Sequence, residues 1–329
     1  MKIAFAGFRH GHIIALYNQV KECDRIEIFG CFEQDDEARE QAAKEFGVEF
    51  THNSYEDFLN SDEVDIIAIG DYYGNRGNLA IQALKAGKHI IVDKPLCTSL
   101  SELDEIERLS TEKNLKVGCL LSLRYSPYTA VAKELIDTGK LGEIHTISFN
   151  GQHSLSYGER PMWYFEEGKH CGVINDISIH GVDLVEYLTG KKLNKVIAAR
   201  TWNAFATEEP KFEDCAQYMA ELDGGCGLMA DISYAAPSHI EFGIPYYWQF
   251  LIWGSKGMIR FAEDGKPLEA YLDYAKEVRY IEGKPCENNH ITDFIDEIEG
   301  KQGLLITTGE VLKSQRDTLI IQAAANKYQ

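Results

Sequence analysis

Long hydrophobic runs are missing from this chain: none approaches the ~18 consecutive apolar residues that a membrane span needs. Positive charge is scarce. Thirty-three lysines and arginines stand against 52 aspartates and glutamates, a formal net charge of −19. A field of that sign repels phosphate backbones and anionic lipid, so no nucleic-acid partner and no membrane partner are expected. Paired cysteines are missing as well. Cys23, Cys31, Cys97, Cys119, Cys171, Cys215, Cys226 and Cys286 form no Cys-x-x-Cys pair. That pattern excludes a zinc knuckle or a disulfide framework and suits small buried thiols in a reducing cytosol. Met1-Lys2-Ile3-Ala4-Phe5-Ala6-Gly7 enters a strand-like segment with no basic leader ahead of it, and a cytoplasmic location is expected. Internal repeats and low-complexity segments are also absent.

What is present is length and alternation. With 329 residues, two domains follow from the rough rule of ~100–200 residues each. Strand and helix patterns alternate through the first third. Strands are expected at Lys2–Ala6, Ile26–Phe32, Val64–Ile69, His89–Val92 and Lys116–Leu121, with helices at Ile13–Lys21, Asp35–Phe46, Asn78–Ala86 and Ser101–Lys113. Short apolar strands separated by longer helices imply a parallel sheet covered on both faces, a doubly wound α/β domain. After a helix at Tyr128–Thr138 the pattern changes to strands: Ile144–Gly151, Val196–Phe205, Cys215–Leu222, Gly227–Ala235 and Tyr247–Trp253. Tyr246-Tyr247-Trp248-Gln249-Phe250 alternates as a strand should. Helices at Asn289–Glu299 and Thr308–Asn326 close the chain. The expectation is a dinucleotide-binding domain over 1–122 and an α+β domain over 123–329, built on a largely antiparallel open sheet. The last helix is free to pack back on the first domain.

Gly7-Phe8-Arg9-His10-Gly11-His12 lies between the first strand and the first helix. That is where a dinucleotide fold places its glycine turn, with the pyrophosphate on the helix N-terminus. As a G-x-G-x-x-G fingerprint it is imperfect, because Arg9 and His12 occupy the second and third glycine positions. Glu33 ends the second strand, where an acid accepts hydrogen bonds from the adenosine ribose and repels a 2′-phosphate. NAD is therefore expected over NADP, although Arg9 offers a phosphate a partner. Lys94, in Asp93-Lys94-Pro95, ends the fourth strand, and ligands bind at such ends of open parallel sheets. In the segment Gly172–Asp183, a helix at ~100° per residue would put Asp176, His180 and Asp183 on one stripe. A carboxylate and an imidazole at i and i+4 can touch, which orients the ring and raises its basicity. A surface Asp–His pair is the plain alternative.

His10 and His12 make a poor metal pair without a nearby third ligand, and no metal is expected. Tyr157, Arg160, Trp163 and Tyr164 could line a sugar pocket, with ordinary packing as the alternative for each.

Taken together, these residues resemble the Gfo/Idh/MocA oxidoreductases over nearly the whole chain. Asp93-Lys94-Pro95 is similar to that family's Glu-Lys-Pro signature; Gly87-Lys88-His89, Arg124-Tyr125-Ser126-Pro127, Arg160-Pro161-Met162-Trp163 and the run Gly172–Asp183 match as well. The family's usual threonine-proline-asparagine and histidine after the third strand are replaced by Asp71-Tyr72-Tyr73 and Arg76, and His170 and Cys171 stand where relatives have glycines. The resemblance implies a Rossmann domain followed by the α+β domain, and NAD held by Gly7 to His12, Glu33, Asp71, Tyr73, Arg76, Asp93 and Lys94. It implies a catalytic trio of Lys94, Asp176 and His180, and a sugar or polyol substrate met by Arg124, Tyr157, Arg160, Trp163 and Asn175. A homodimer or homotetramer through the open sheet is implied too. The expected activity is hydride transfer between nicotinamide and a secondary hydroxyl or ketone, with His180 as acid and base. An NAD-using glycosidase with transient oxidation and a non-catalytic dinucleotide or sugar sensor are the other two readings.

Overall fold

The structure is a computed structural model that describes residues 1–244 and 247–328. Its contacts divide the chain into two units: Met1–Leu120 with Gly168–Cys171 and Asn288–Arg316, and Leu121–Glu167 with Gly172–Glu287 and Asp317–Gln329.

The first unit runs β1 (Lys2–Ala6), α1 (His12–Lys21), β2 (Glu27–Phe32), α2 (Asp36–Phe46), α3 (Glu56–Leu59), β3 (Ile66–Ile69), α4 (Tyr73–Lys85), β4 (His89–Val92), α5 (Leu100–Lys113) and β5 (Val117–Cys119). The strands form one sheet in the order β2-β1-β3-β4-β5, and every pairing is parallel. All four residues of β3 are fully buried, as a strand covered on both faces requires. The chain order reverses beside β1, which makes the carboxyl ends of β1 and β3 the switch point where such sheets bind ligands.

Helix boundaries follow their caps. Asp35 accepts from the Ala38 N–H and Gly47, at φ 66°, ends α2; Ser99 and Glu102 form a reciprocal capping box on α5. One boundary corrects the sequence reading. Helix α4 begins at Tyr73 and not at Asn78. Gly74 and Gly77, which read as loop residues, serve close approach: a Cβ on Gly74 would sit 1.9 Å from the Gly168 carbonyl oxygen, and one on Gly77 would sit 2.5 Å from the Glu102 carboxylate carbon.

In the second unit α6 (Pro127–Asp137) and β6 (Ile144–Ser154) lead to a π-helical turn, Ile174–Ser178, that continues as α7 (Ile179–Thr189). Then come β7 (Leu193–Trp202), β8 (Cys215–Leu222), β9 (Cys226–Ala236), β10 (Gln249–Gly254), β11 (Gly257–Phe261), β12 (Leu268–Leu272) and β13 (Arg279–Ile281). Eight strands form a sheet in the order β13-β12-β11-β10-β6-β9-β8-β7, in which β6 and β9 are the parallel pair. The expected α/β plus largely antiparallel α+β architecture is thus what the chain adopts. The strand expected from Tyr247 begins at Gln249, because Trp248 sits at φ 48° and cannot continue a pleat; Tyr246 lies outside the described residues.

Helix α7 covers one face of this sheet at Gly181, where a Cβ would meet the Phe149 ring at 2.2 Å. The other face is open. Ile197, Met219, Met229 and Trp253 are each about half exposed there. Helix α8 (His290–Ile298) returns to the first unit, and α9 (Thr308–Ala325) divides between the two. Ile291, Phe294 and Ile295 of α8 join Ile3, Phe5, Ile13 and Leu16 in the first unit's core.

Candidate active site

In the first unit the strand ends bring the glycine loop against two acids. Gly7 holds φ 89°, and a Cβ there would lie 2.6 Å from the Asp71 amide nitrogen, so only glycine lets β1 pass this close to the end of β3. Its N–H donates to the Phe32 carbonyl at 2.9 Å, and the Arg9 N–H donates to Gly70 at 2.8 Å. Glu33 is buried and accepts from the Phe8 N–H at 2.6 Å, the Asp35 N–H at 2.9 Å and Arg9 Nε at 3.2 Å. Burial pushes its carboxyl up, against the two backbone donors and Arg9. Arg9 also reaches Asp35 at 3.2 Å and Asp71 at 4.0 Å, so three carboxylates share its charge. The Phe8 ring packs into the core against Phe5, Tyr17 and Phe50, leaving its backbone as the part that faces the loop.

Gly7, Glu33 and Asp71 border a cleft of about 460 Å³ whose other walls include Arg39, Asn53 and Asn75. The sequence reading missed these last three, since a guanidinium and two amides scattered over two helices and a loop carry no motif. A cradle that excludes a Cβ at Gly7, with an acid at the end of β2 and an open helix N-terminus at Gly11, fits a dinucleotide. A carboxylate has about four lone-pair sites, so Glu33 retains capacity for ribose hydroxyls.

A second cluster lies at the end of β4. Asp93 is fully buried and faces His10 Nδ1 at 2.8 Å, His12 Nδ1 at 3.3 Å and Arg76 Nη2 at 3.3 Å. Burial alone would raise its carboxyl; His10, Arg76 and His12 outweigh that and hold it well below the usual range. Burial pushes His10 down to about 4, although Asp93 pulls the other way. Arg76 is fully buried and donates to the carbonyls of Asp71 at 2.7 Å, Asp93 at 3.0 Å and Lys94. Lys94 is buried, and its Nζ lies 5.9 Å from the Tyr73 ring centre; the Lys94–Pro95 bond is cis. Tyr73 also meets the rings of His10 at 5.6 Å and His170 at 5.5 Å. Asp93 is the third donor that the histidine pair lacked in sequence, with the three ligand atoms within 4.8 Å of one another. Arg76 already neutralises that one carboxylate, and a divalent ion would enter beside a fixed cation. On this chemistry the trio is a charge-sharing cluster in which His10 hydrogen-bonds Asp93 and His12 stands close by.

In the second unit Asp176 and His180 are 2 % and 3 % exposed, which overturns the surface-pair alternative. The segment is not the continuous α-helix expected. The π-helical turn over Ile174–Ser178 widens the backbone ahead of α7, and such turns concentrate at functional sites. Tyr234 donates its hydroxyl to Asp176 Oδ2. Burial first, then the charge of Asp176, holds that hydroxyl well above its ordinary value, so it donates and does not ionise. The Trp248 ring stands 5.3 Å from His180 at 69°.

The residues expected to meet substrate fall into different surroundings. Arg124 is buried in a bidentate pair with Asp183, at 2.8 and 2.7 Å, which also accounts for Asp183. Asn175 is fully buried, its N–H donating to Gln322 at 3.3 Å. Trp163 is buried with its ring centre 4.2 Å from that of Tyr164. Arg160 donates to the carbonyls of Leu155 and Ser154. Tyr157 is half exposed, its hydroxyl 3.3 Å from Glu209.

Known proteins resemble this chain along most of its length. A family model described as "Oxidoreductase family, NAD-binding Rossmann fold" matches residues 1–120, and one described as "GFO/IDH/MocA C-terminal domain" matches residues 129–260. Levoglucosan dehydrogenase of Pseudarthrobacter phenanthrenivorans is 28 % identical over 59 % of this chain and 50 % of its own length. For scyllo-inositol 2-dehydrogenase (NAD(+)) of Bacillus subtilis the figures are 30 %, 60 % and 57 %. The galactose/lactose metabolism regulatory protein GAL80 of Saccharomyces cerevisiae is 26 % identical over 44 % and 35 %. The match thus spans about half the length of the first two curated relatives, and less of the third. A solved structure from Erwinia carotovora atroseptica superposes with a TM-score of 0.87 at 24 % identity over 99 % of each chain. The structure of levoglucosan dehydrogenase in complex with NADH gives 0.81 at 18 % identity, over 99 % of this chain and 97 % of that one; both likenesses speak for the fold. With the glycine cradle, the acid-lined cleft and both domain models in agreement, the chain belongs to the Gfo/Idh/MocA oxidoreductase family and carries that family's NAD-binding Rossmann fold at its N-terminal end.

Proposed function

We propose that this chain is a cytoplasmic NAD-dependent dehydrogenase acting on a secondary hydroxyl or ketone of a sugar, polyol or sugar derivative. The observation that carries this reading is Lys94: a buried lysine at the carboxyl end of β4, the end of the sheet that binds ligands, in an oxidoreductase-family chain. The nicotinamide supplies the hydride acceptor. His180 takes the proton from the substrate hydroxyl, and the buried Asp176 carboxylate keeps the imidazole oriented and basic. The Lys94 ammonium donates to the substrate oxygen and steadies the negative charge that grows there. Glu33 accepts from the adenosine ribose, and Arg9, already shared among Glu33, Asp35 and Asp71, has little charge to offer a 2′-phosphate.

Fluorescence titration with NADH and NADPH tests the cofactor, and a screen of sugars and polyols for NADH formation tests the chemistry. Tighter NADH binding and a turning-over substrate support the reading; preference for NADPH would move the phosphate onto Arg9. The regulatory relative favours a second reading, a sensor that binds dinucleotide or sugar without turnover, and binding with no oxidation across the screen would select it. We further propose that two or four copies associate through the open face of the eight-stranded sheet, which sedimentation measures directly.

A further inference from the structure

Asp176 has a buried partner that its own helix does not supply. Tyr234, on β9, donates its hydroxyl to Asp176 Oδ2 and is 2 % exposed. Its backbone is tied on both sides: its N–H donates to the Asp214 carbonyl at 2.9 Å, and its carbonyl accepts from the Leu155 N–H at 3.2 Å. The Arg160 guanidinium lies 5.6 Å from the Tyr234 ring centre and the Phe212 ring 5.4 Å from it. Arg160 is itself held by two carbonyls, at 2.6 Å from Leu155 and 2.7 Å from Ser154. The strand is thus fixed on both sides of a phenol that donates to the carboxylate.

We propose that Tyr234 is a positioning residue for the reaction: its hydroxyl fixes the direction of the Asp176 carboxylate and limits how much negative charge that carboxylate presents to His180. The proposal rests on the reading of Asp176 and His180 given above. No proton leaves the phenol; it donates throughout. A donor to a carboxylate stabilises its charged form. Removing the hydroxyl raises the affinity of Asp176 for a proton and also strengthens its pull on a protonated His180. While Asp176 stays ionised the second effect governs, and it moves protonation of His180, the loss of the neutral base, to higher pH. Charged or titratable groups around the pair include Tyr164 and Arg160 beside Tyr234, His153 across Trp248, and Asp183 on α7, which pairs with Arg124.

The test is Tyr234→Phe, which keeps the ring and removes one oxygen, alone and combined with Asp176→Asn. Histidine-ring nuclear magnetic resonance on the full chain reads the His180 midpoint without substrate, with His180→Asn identifying its signal. Tyr234→Phe is expected to raise that midpoint, to lower kcat by about tenfold or more with little change in KM, and to shift the acidic limb of kcat to higher pH. In the Asp176→Asn background the same change is expected to do almost nothing. An unmoved midpoint, or an undiminished effect in that background, overturns the proposal. Wild-type turnover by His180→Asn would remove the underlying reading instead, while the midpoint still decides whether Tyr234 governs the pair.

Discussion

At the strand ends of the first unit, charge is buried in a shared network: Asp93 is divided among His10, His12 and Arg76, and Arg9 among Glu33, Asp35 and Asp71. In the second unit, Arg124 and Asp183 form a bidentate pair, and Asp176 is met by a neutral phenol. A shared network can redistribute when one member is lost or a ligand arrives, because imidazoles can gain or lose a proton. A guanidinium held in a bidentate pair has no proton to give up. Responsiveness and rigidity are thus assigned to different regions of one chain, and each can be tested by removing a cation.

The largest expected effect is on turnover. Lys94→Ala is expected to lower kcat by about a thousandfold, from loss of charge stabilisation at the reacting oxygen, with NADH binding retained; unchanged turnover would defeat the role given to the first unit's strand end. Next is stability. Arg124→Ala removes the guanidinium that pairs with the buried Asp183 carboxylate, a loss of ~3–5 kcal/mol in urea denaturation, and of similar size at pH 4 and pH 8. Arg76→Ala is expected to cost less at pH 4 than at pH 8, since His10, pushed down to about 4, can take a proton there beside Asp93. Equal pH dependence of the two variants would erase the contrast.

Acid should expose the same contrast in the unaltered protein. Burial pushes His10 down to about 4 and His290 to about 3, both in the first unit. Their unfolded forms bind protons below about 6.5, so the unfolded state takes up more protons across that window. Stability is then full above it and lost as the pH falls from about 6.5 toward 4. A melting temperature flat over that range would contradict this, and His290→Gln should flatten it in part. The smallest effect expected is in selectivity. Glu33→Gln should narrow the preference for NADH over NADPH several-fold, through removal of a carboxylate worth ~1 kcal/mol against a 2′-phosphate, as the ratio of dissociation constants will report.

Legibility differed between the same two regions. The first unit's strands are short apolar runs joined by helices, and β1 to β5 could be placed from period and spacing alone. Only α4 was cut short, because Gly74 and Gly77 look like loop residues when the backbone they approach is out of sight. In the second unit β6 pairs with β9 and β10, strands remote in sequence, and a pattern of short strands does not encode order. The π-helical turn ahead of α7 is a slip of backbone hydrogen bonding, with no side-chain period to announce it. Lys94, Asp176 and His180 stood out in the sequence by residue type and position, and their proposed roles start from there. Tyr234 was not, standing fifty-eight positions from its carboxylate on a strand where a tyrosine is ordinary. Arg124 read as a ligand contact because the sequence could not show Asp183 beside it.

On the open face of the eight-stranded sheet, Met219 and Met229 stand opposite one another across β8 and β9, each about half exposed. Two thioethers side by side on an uncovered surface are a chemical dosimeter. Peroxide converts such a pair to polar sulfoxides, and the rate of that conversion records how much of the time the face is bare. A chain that oxidises slowly when concentrated and quickly when dilute would be reporting, atom by atom, the presence of something lying across this sheet. Once oxidised, the same face would resist being covered again.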